Sequence, residues 1–385
     1  MTALVVRVRT WLVRAGFGLG RIGGPPRGIL LATSHAERLG GNLDFVSREL
    51  ATRHPAVPVT TLAHRARAGW RGRVGGALAA LRAGFALARA RVVVVDDYYF
   101  PIYVVTPRPG TTIVQTWHAS GAFKRFGHSV RDATFGADAT LTTRVRIHAN
   151  YDVCLVGSAA AATHYAEAFG LPADRFRWDL GIPRTDLFFD ETRRERAAGA
   201  VRARYAIPAD RRVILWAPTF RGDRVTDARD AGTLDVDLLA RELGHDHLLL
   251  VRHHPFVRAG SGGSLPSGFA RDVSDHPDIN ELMLVADVLV TDYSSAIFEF
   301  SLLERPIAFL APDLAEYEEE RGFYADYRSW VPGPVLESTA DLLDWLRGGS
   351  ADLERVRRFR EASYAVADGR ATERLVDEVL VPALG

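Results

Sequence analysis

The chain has 385 residues, 47% apolar and 25% charged, with a formal net charge of +1. That composition is ordinary for a globular protein large enough for two cores, and it carries no global sign of a nucleic-acid binder. The single cysteine, Cys154, excludes an internal disulfide and a cysteine-based zinc site, which fits a reducing compartment.

The first residues, Met1 to Gly28, are basic and apolar, and Arg7 and Arg9 interrupt any signal-peptide core. Arginines break every apolar segment well short of the roughly 20 residues that a spanning helix needs. The segment fits an anionic membrane surface and equally a leading helix or strand packed on its own domain. Gly28 to Thr33 then forms a buried strand, followed by Ser34, His35, Gly40, Gly41, Asn42 and a helix, which is the opening of an α/β domain. A second strand is expected over Val57 to Leu62.

Between Leu62 and Val92 there are arginines at 65, 67, 71, 73, 82, 89 and 91 and no acidic residue. Trp70, Leu78, Leu81, Phe85 and Leu87 supply an apolar face, so this stretch reads as a helical pair facing an anionic surface through Arg65, Arg67, Arg71, Arg73, Arg82 and Arg89. Its glycines at 69, 72, 75, 76 and 84 weaken a long helix.

Val92 to Asp96 is an interior strand carrying Asp96-Asp97-Tyr98-Tyr99 at its carboxyl end, and Thr111 to Thr116 is another, leading into Trp117-His118-Ala119-Ser120-Gly121-Ala122-Phe123-Lys124. Open α/β sheets place their chemistry at such ends. Lys124 is the only lysine among 48 basic residues, which suggests a specific task for a compact ammonium. Further strands are expected at Val153 to Gly157 and Phe176 to Leu180, before a turn over Gly181 to Asp186 and the charged helix Glu191 to Arg204.

The second half repeats the plan. Strands Val213 to Trp216, Leu248 to Val251 and Val288 to Thr291 end respectively in Thr219 with Arg221, Arg252-His253-His254, and Asp292-Tyr293-Ser294-Ser295. Carboxyl-end loops of parallel strands line one crevice, and the serine turn opens a helix whose free N–H groups favour phosphate. Asp313 to Tyr327 is acidic and aromatic and is placed over that crevice, while the tail from Ala351 forms two helices broken at Asp368-Gly369-Arg370. The expected division is residues 1–190, residues 191–360, and a terminal helix, 361–385, crossing back to the first domain.

The stretches TWHASGAFKRFG, LGIPRTDLF, LWAPTFRGD, LVRHHP, DINELMLVADVLVTDYSSAIFEF, ERGFYADY and DGRATERLV resemble, in order and spacing, the CDP-glycerol glycerophosphotransferase family of teichoic acid primases and polymerases. The resemblance runs from about Val92 to Val379. It implies a GT-B-like fold of two doubly wound Rossmann-like domains with the site in the cleft between them. It also implies transfer of glycerol phosphate, or a related polyol phosphate, from CDP-glycerol to a lipid-linked saccharide or polyol-phosphate acceptor, with release of CMP at the cytoplasmic face of the membrane. On this basis His118 is the general base and His254 the donor-diphosphate histidine. Thr219, Arg221, Arg252, Ser294 and Ser295 hold the diphosphate, with Lys124 and Asp292 elsewhere in the cleft. Asp96, Asp97 and Asp292 are candidate Mg²⁺ ligands, though their spacing does not call for a metal.

Two departures stand out: the Trp-His loop is one residue longer than in many members, and Glu299 replaces an aspartate. The competing readings are a GT-B glycosyltransferase using a nucleotide sugar and a non-enzymatic membrane-associated scaffold. The sequence leaves open glycerol or ribitol, and one unit or many.

Overall fold

The computed structural model describes residues 3–65, 69–130, 145–222, 231–254, 257, 265–349 and 351–385. Two parallel six-stranded sheets organise it. The first contains β1 (Ile29–Thr33), β2 (Val59–Ala63), β3 (Val92–Val95), β4 (Thr112–Gln115), β5 (Val153–Leu155) and β6 (Phe176–Arg177), in the order β2-β1-β3-β4-β5-β6. The second contains β7 (Arg212–Ala217), β8 (His247–Val251), β9 (Ala270–Asp272), β10 (Val288–Thr291), β11 (Ile307–Leu310) and β12 (Val335–Leu336), in the order β12-β11-β10-β7-β8-β9. β1, β3 and β8 are buried along their whole length. Such runs suit strands covered on both faces, which is why they lack polar alternation. β9 and β12 were not anticipated: each is a short edge strand that borrows its register from a neighbour.

Both sheets are doubly wound, so each has a point where the strand order reverses. In the first it lies between β1 and β3, and in the second between β7 and β10. Loops leaving the carboxyl ends of strands diverge there and open a crevice.

The described residues of 62–92 do not form the expected helical pair. With α2 (Gly41–Arg53) lying between β1 and β2, a single helix, α3 (Gly69–Arg89), follows β2 and packs along α1 (Ala3–Ile22). Gly84 of this helix and Gly16 of α1 are part of the reason. A Cβ on Gly84 would lie 2.0 Å from the Val13 carbonyl oxygen, and one on Gly16 would lie 2.1 Å from that of Leu81. Glycine here lets two backbones approach, and that close contact outweighs its poor helix propensity.

The two halves are joined by more than the chain. The Phe123 carbonyl accepts from Tyr324 N at 2.8 Å and Arg125 N donates to Gly322 O at 3.1 Å, so the loop after β4 pairs with residues 322–324 from the second half. Phe123 also lies on Phe323 and Trp330, with ring centres 5.8 and 5.3 Å apart. Near the C-terminus, Asp186 accepts from the backbone N–H groups of Ala371 and Thr372 at 3.0 and 2.8 Å and from the Thr372 hydroxyl at 2.6 Å. The tail is thereby capped by a residue of the first half.

Candidate active site

The His118 loop is held by a strained backbone. Trp117 has φ of 53°, a left-handed conformation rare for an aromatic residue. Gln115 Oε1 fixes it by accepting from Trp117 N at 2.8 Å, while buried Asn42 donates to the Thr116 and Trp117 carbonyls at 3.2 and 2.8 Å. Asn42 Oδ1 accepts in turn from Arg184 N at 3.0 Å. The kink turns the next side chain outward: His118 stacks on Trp117 at 4.5 Å and is about half exposed. Its Nδ1 lies 3.3 Å from Asp97 Oδ2, at the end of β3. His35 Nε2, from the loop after β1, lies 3.2 Å from the same oxygen. These two loops flank the reversal point of the first sheet.

The charges around Asp96 and Asp97 separate their behaviour. Burial pushes Asp96 up to about 6, with the neighbouring Asp97 charge adding to the effect. Burial also raises Asp97, but His118 and His35 outweigh it and hold the carboxyl below its ordinary value.

On the opposite wall, burial lowers His254 to about 4, helped by the charges of Lys124, Arg252, His118 and Arg321. His254 is thus a neutral imidazole at pH 7, set among cations from both halves. Lys124 approaches it from the first half; its Nζ lies 5.9 Å from the Phe123 ring, and its charge also acts on buried Asp292. Arg252 donates backward to the His276 carbonyl at 2.5 Å. Arg321 did not emerge from the sequence, because it lies in an acidic helix, Leu314–Arg321, and only its position identifies it.

The serine turn follows β10. Ser294 Oγ accepts from Ala296 N at 3.2 Å, whereas Ser295 occupies the N-cap position without a capping side-chain bond. Both serines remain partly exposed. Beneath them Asp292 is fully buried. It accepts from Thr219 N, Thr219 Oγ1 and Tyr293 N at 2.8, 3.0 and 2.6 Å, and it pairs with Arg221 Nη1 at 2.9 Å. Arg221 also grips Asp313 through Nε and Nη2 at 2.6 and 3.1 Å. Burial lowers the Arg221 guanidinium, but the two carboxylates hold it above its ordinary value. A buried carboxylate must be compensated, and Asp292 takes its compensation from Thr219 and Arg221. Those two residues therefore brace the turn, and Asp292 lies under the cleft wall.

The candidate Mg²⁺ ligands do not come together, since Asp96 and Asp97 end β3 while Asp292 is enclosed in the second half. Among the described residues no group of three or more histidine, cysteine, aspartate or glutamate side chains is arranged to hold a metal.

A third arrangement joins the halves under the cleft. Glu299 is 2% exposed, accepts from Ser120 Oγ at 2.6 Å and pairs with Arg184. Both departures noted in the sequence, the longer loop and Glu299, thus sit in the same contact.

Of the six arginines expected at a membrane, Arg65, Arg71, Arg73 and Arg82 are exposed. Arg89 is half-buried, with Nη1 enclosed and its guanidinium near Gly23. Arg67 lies outside the described residues. Among the described residues, ten of the thirteen exposed large apolar side chains belong to α1 and α3, among them Trp11, Ile22, Trp70 and Phe85. No helix among the described residues is long and apolar enough to cross a membrane.

Two doubly wound sheets facing across a cleft that gathers imidazoles, cations and a serine turn define a GT-B-like transferase. The family described as CDP-glycerol:poly(glycerophosphate) glycerophosphotransferase matches residues 26–381, and the chain belongs to this family of enzymes. It is 35% identical over 351 residues to the teichoic acid ribitol-phosphate primase of Bacillus spizizenii, covering 91% of this chain and 90% of the primase. It is 37% identical over 299 residues to the teichoic acid poly(ribitol-phosphate) polymerase of the same organism, covering 77% of this chain but only 47% of the polymerase. In fold it is similar to the wall teichoic acid polymerase TagF, with a TM-score of 0.79 and 21% identity over 99% of this chain and 95% of that one.

Proposed function

We propose that the protein transfers glycerol phosphate or ribitol phosphate from a CDP-polyol to a hydroxyl of a lipid-linked acceptor, releasing CMP, at the cytoplasmic face of a membrane. The observation that carries this reading is the meeting of His118 with His254, Lys124, Arg252 and Arg321 at one cleft. The acceptor oxygen forms a bond to the β-phosphorus of the donor as its proton passes to His118. The bridging oxygen departs with its electron pair as part of CMP. His118 suits the proton step because its half-exposed ring, with Nδ1 facing Asp97, leaves the other nitrogen able to accept a proton. Neutral His254 donates a hydrogen bond, Lys124, Arg252 and Arg321 offset the diphosphate charge, and the exposed serine hydroxyls orient it. Thr219, Arg221 and Asp292 keep the serine turn in place.

The 35% identity to the ribitol-phosphate primase makes ribitol phosphate the first donor to test. Residues 1–190 form the acceptor and membrane side, residues 191–360 the donor side, and 361–385 the return to the first domain. The exposed apolar residues of α1 and α3, rimmed by Arg71, Arg73 and Arg82, lie on the anionic membrane.

The deciding experiment supplies CDP-ribitol, CDP-glycerol and UDP-sugars with a lipid-linked acceptor and follows nucleotide release. CMP from a CDP-polyol is expected, with His118→Ala losing turnover but keeping donor binding. UDP release from a sugar donor would establish the glycosyltransferase reading instead, and absence of CDP-polyol binding would favour a scaffold.

A further inference from the structure

We infer that Asp97 and His35 are positioning residues for His118: Asp97 fixes its tautomer, and His35, sharing the same carboxylate oxygen, tempers how strongly Asp97 acts on it. The inference rests on the reading of His118 as the base, and concerns the groups that orient its ring.

The geometry is specific. His118 Nδ1 and His35 Nε2 lie 3.3 and 3.2 Å from Asp97 Oδ2, so one oxygen serves two rings. The other oxygen accepts from Tyr98 N at 2.6 Å, which prevents the carboxylate from rotating to offer each ring its own acceptor. The Asp97 carbonyl is tied as well, accepting from Gln115 Nε2 at 3.0 Å, and the same glutamine holds Trp117 N. One side chain thus sets the relative position of the carboxylate and the imidazole.

The chemical consequence follows from imidazole having two distinct nitrogens. An Nδ1–H facing a carboxylate leaves Nε2 as the unprotonated nitrogen, the one able to take a hydroxyl proton. Because one carboxylate oxygen serves both rings, His35 and His118 compete for it, and positive charge on either ring opposes positive charge on the other. The charged and titratable groups facing Asp97 are His118 and His35, its neighbours Asp96 and Tyr98 on the end of β3, and buried His148; His254, with Lys124 beside it, faces His118 across the cleft.

The test compares wild type with Asp97→Asn, Asp97→Glu, His35→Gln and His118→Ala. Readouts are CMP release against pH, CDP-polyol binding by calorimetry, and imidazole nitrogen NMR, with the His118 signal assigned from its absence in His118→Ala. Asp97→Asn is expected to lower kcat by about 10²-fold with little change in donor affinity. It should move the acid limb of the kcat profile to lower pH, and Asp97→Glu should recover part of the rate. His35→Gln should retain most of kcat and shift the acid limb the opposite way, to higher pH. The nitrogen spectrum should show the Nδ1–H form of His118 in wild type and lose it in Asp97→Asn.

The inference is overturned if folded Asp97→Asn keeps the wild-type acid limb and tautomer, or if His35→Gln shifts the limb in the same direction as Asp97→Asn. Should Asp97→Asn fail to fold, His35→Gln and the wild-type spectrum still decide, since a wild-type Nε2–H tautomer excludes the arrangement. If His118→Ala retains CMP release, it is the reading of His118 as base that fails, and the spectrum still judges the tautomer separately.

Discussion

Glu299→Gln tests whether the contact beneath the cleft holds the two halves together. Glu299 is 2% exposed and meets Arg184, whose side chain is 15% exposed and whose Nε is buried without a hydrogen-bond partner among the described residues. Removing the carboxylate charge leaves a buried guanidinium with Asp278 as its remaining acidic neighbour. Breaking one side of a buried pair costs about 3–5 kcal/mol, and the lower end applies because Asp278 remains. For a domain of this size each kcal/mol lowers Tm by about 2–4 °C, so a fall of about 6–12 °C is expected by circular dichroism. The double variant Arg184→Met, Glu299→Gln should recover much of this, because no charge is then stranded, with a coupling of about 2 kcal/mol in the cycle. A fall of less than about 2 °C, or strict additivity, would refute the reasoning.

His254 should take up a proton when an anionic donor binds, since burial and the surrounding cations hold it at about 4 and a diphosphate reverses that field. Calorimetry near pH 5.5 in buffers of different ionisation enthalpy should show uptake that vanishes in His254→Gln. No uptake by the wild type would contradict it. The same depression makes the fold lose stability as pH falls from the ordinary histidine range to about 4, because only the unfolded chain accepts that proton freely. Reversing Arg71, Arg73 and Arg82 to Glu should weaken flotation with anionic vesicles by about 10²-fold or more, at about 1 kcal/mol per basic residue removed; equal flotation would exclude this face. Asp186→Ala should free the tail to limited proteolysis and cost about 1–2 kcal/mol, as it removes a carboxylate accepting from Ala371 N, Thr372 N and Thr372 Oγ1; unchanged proteolysis and Tm would show the cap to be dispensable.

Much of the architecture was legible because buried parallel strands carry their own signal. The run Val92 to Val95, the Val288 to Thr291 strand and the polar turns after them need no partner to be recognised. The short edge strands β9 and β12 were not, since three and two residues show no period and depend on a neighbouring strand. Gly84 of α3 shows the same limit: helix propensity is local, whereas the backbone contact with α1 that favours glycine there is tertiary.

The motifs alone marked His118, His254, Lys124 and the serine pair as candidates for the cleft, because phosphate transfer demands a base, hydrogen-bond donors and positive charge. Only the tertiary structure decided their company. It enclosed Asp292 with Thr219 and Arg221, brought Arg321 to His254, and set Asp97 between two imidazoles from separate loops. Sequence spacing describes a chain along one dimension. Which charges share a low-dielectric crevice is fixed by where the two sheets reverse their strand order and by how the halves face each other.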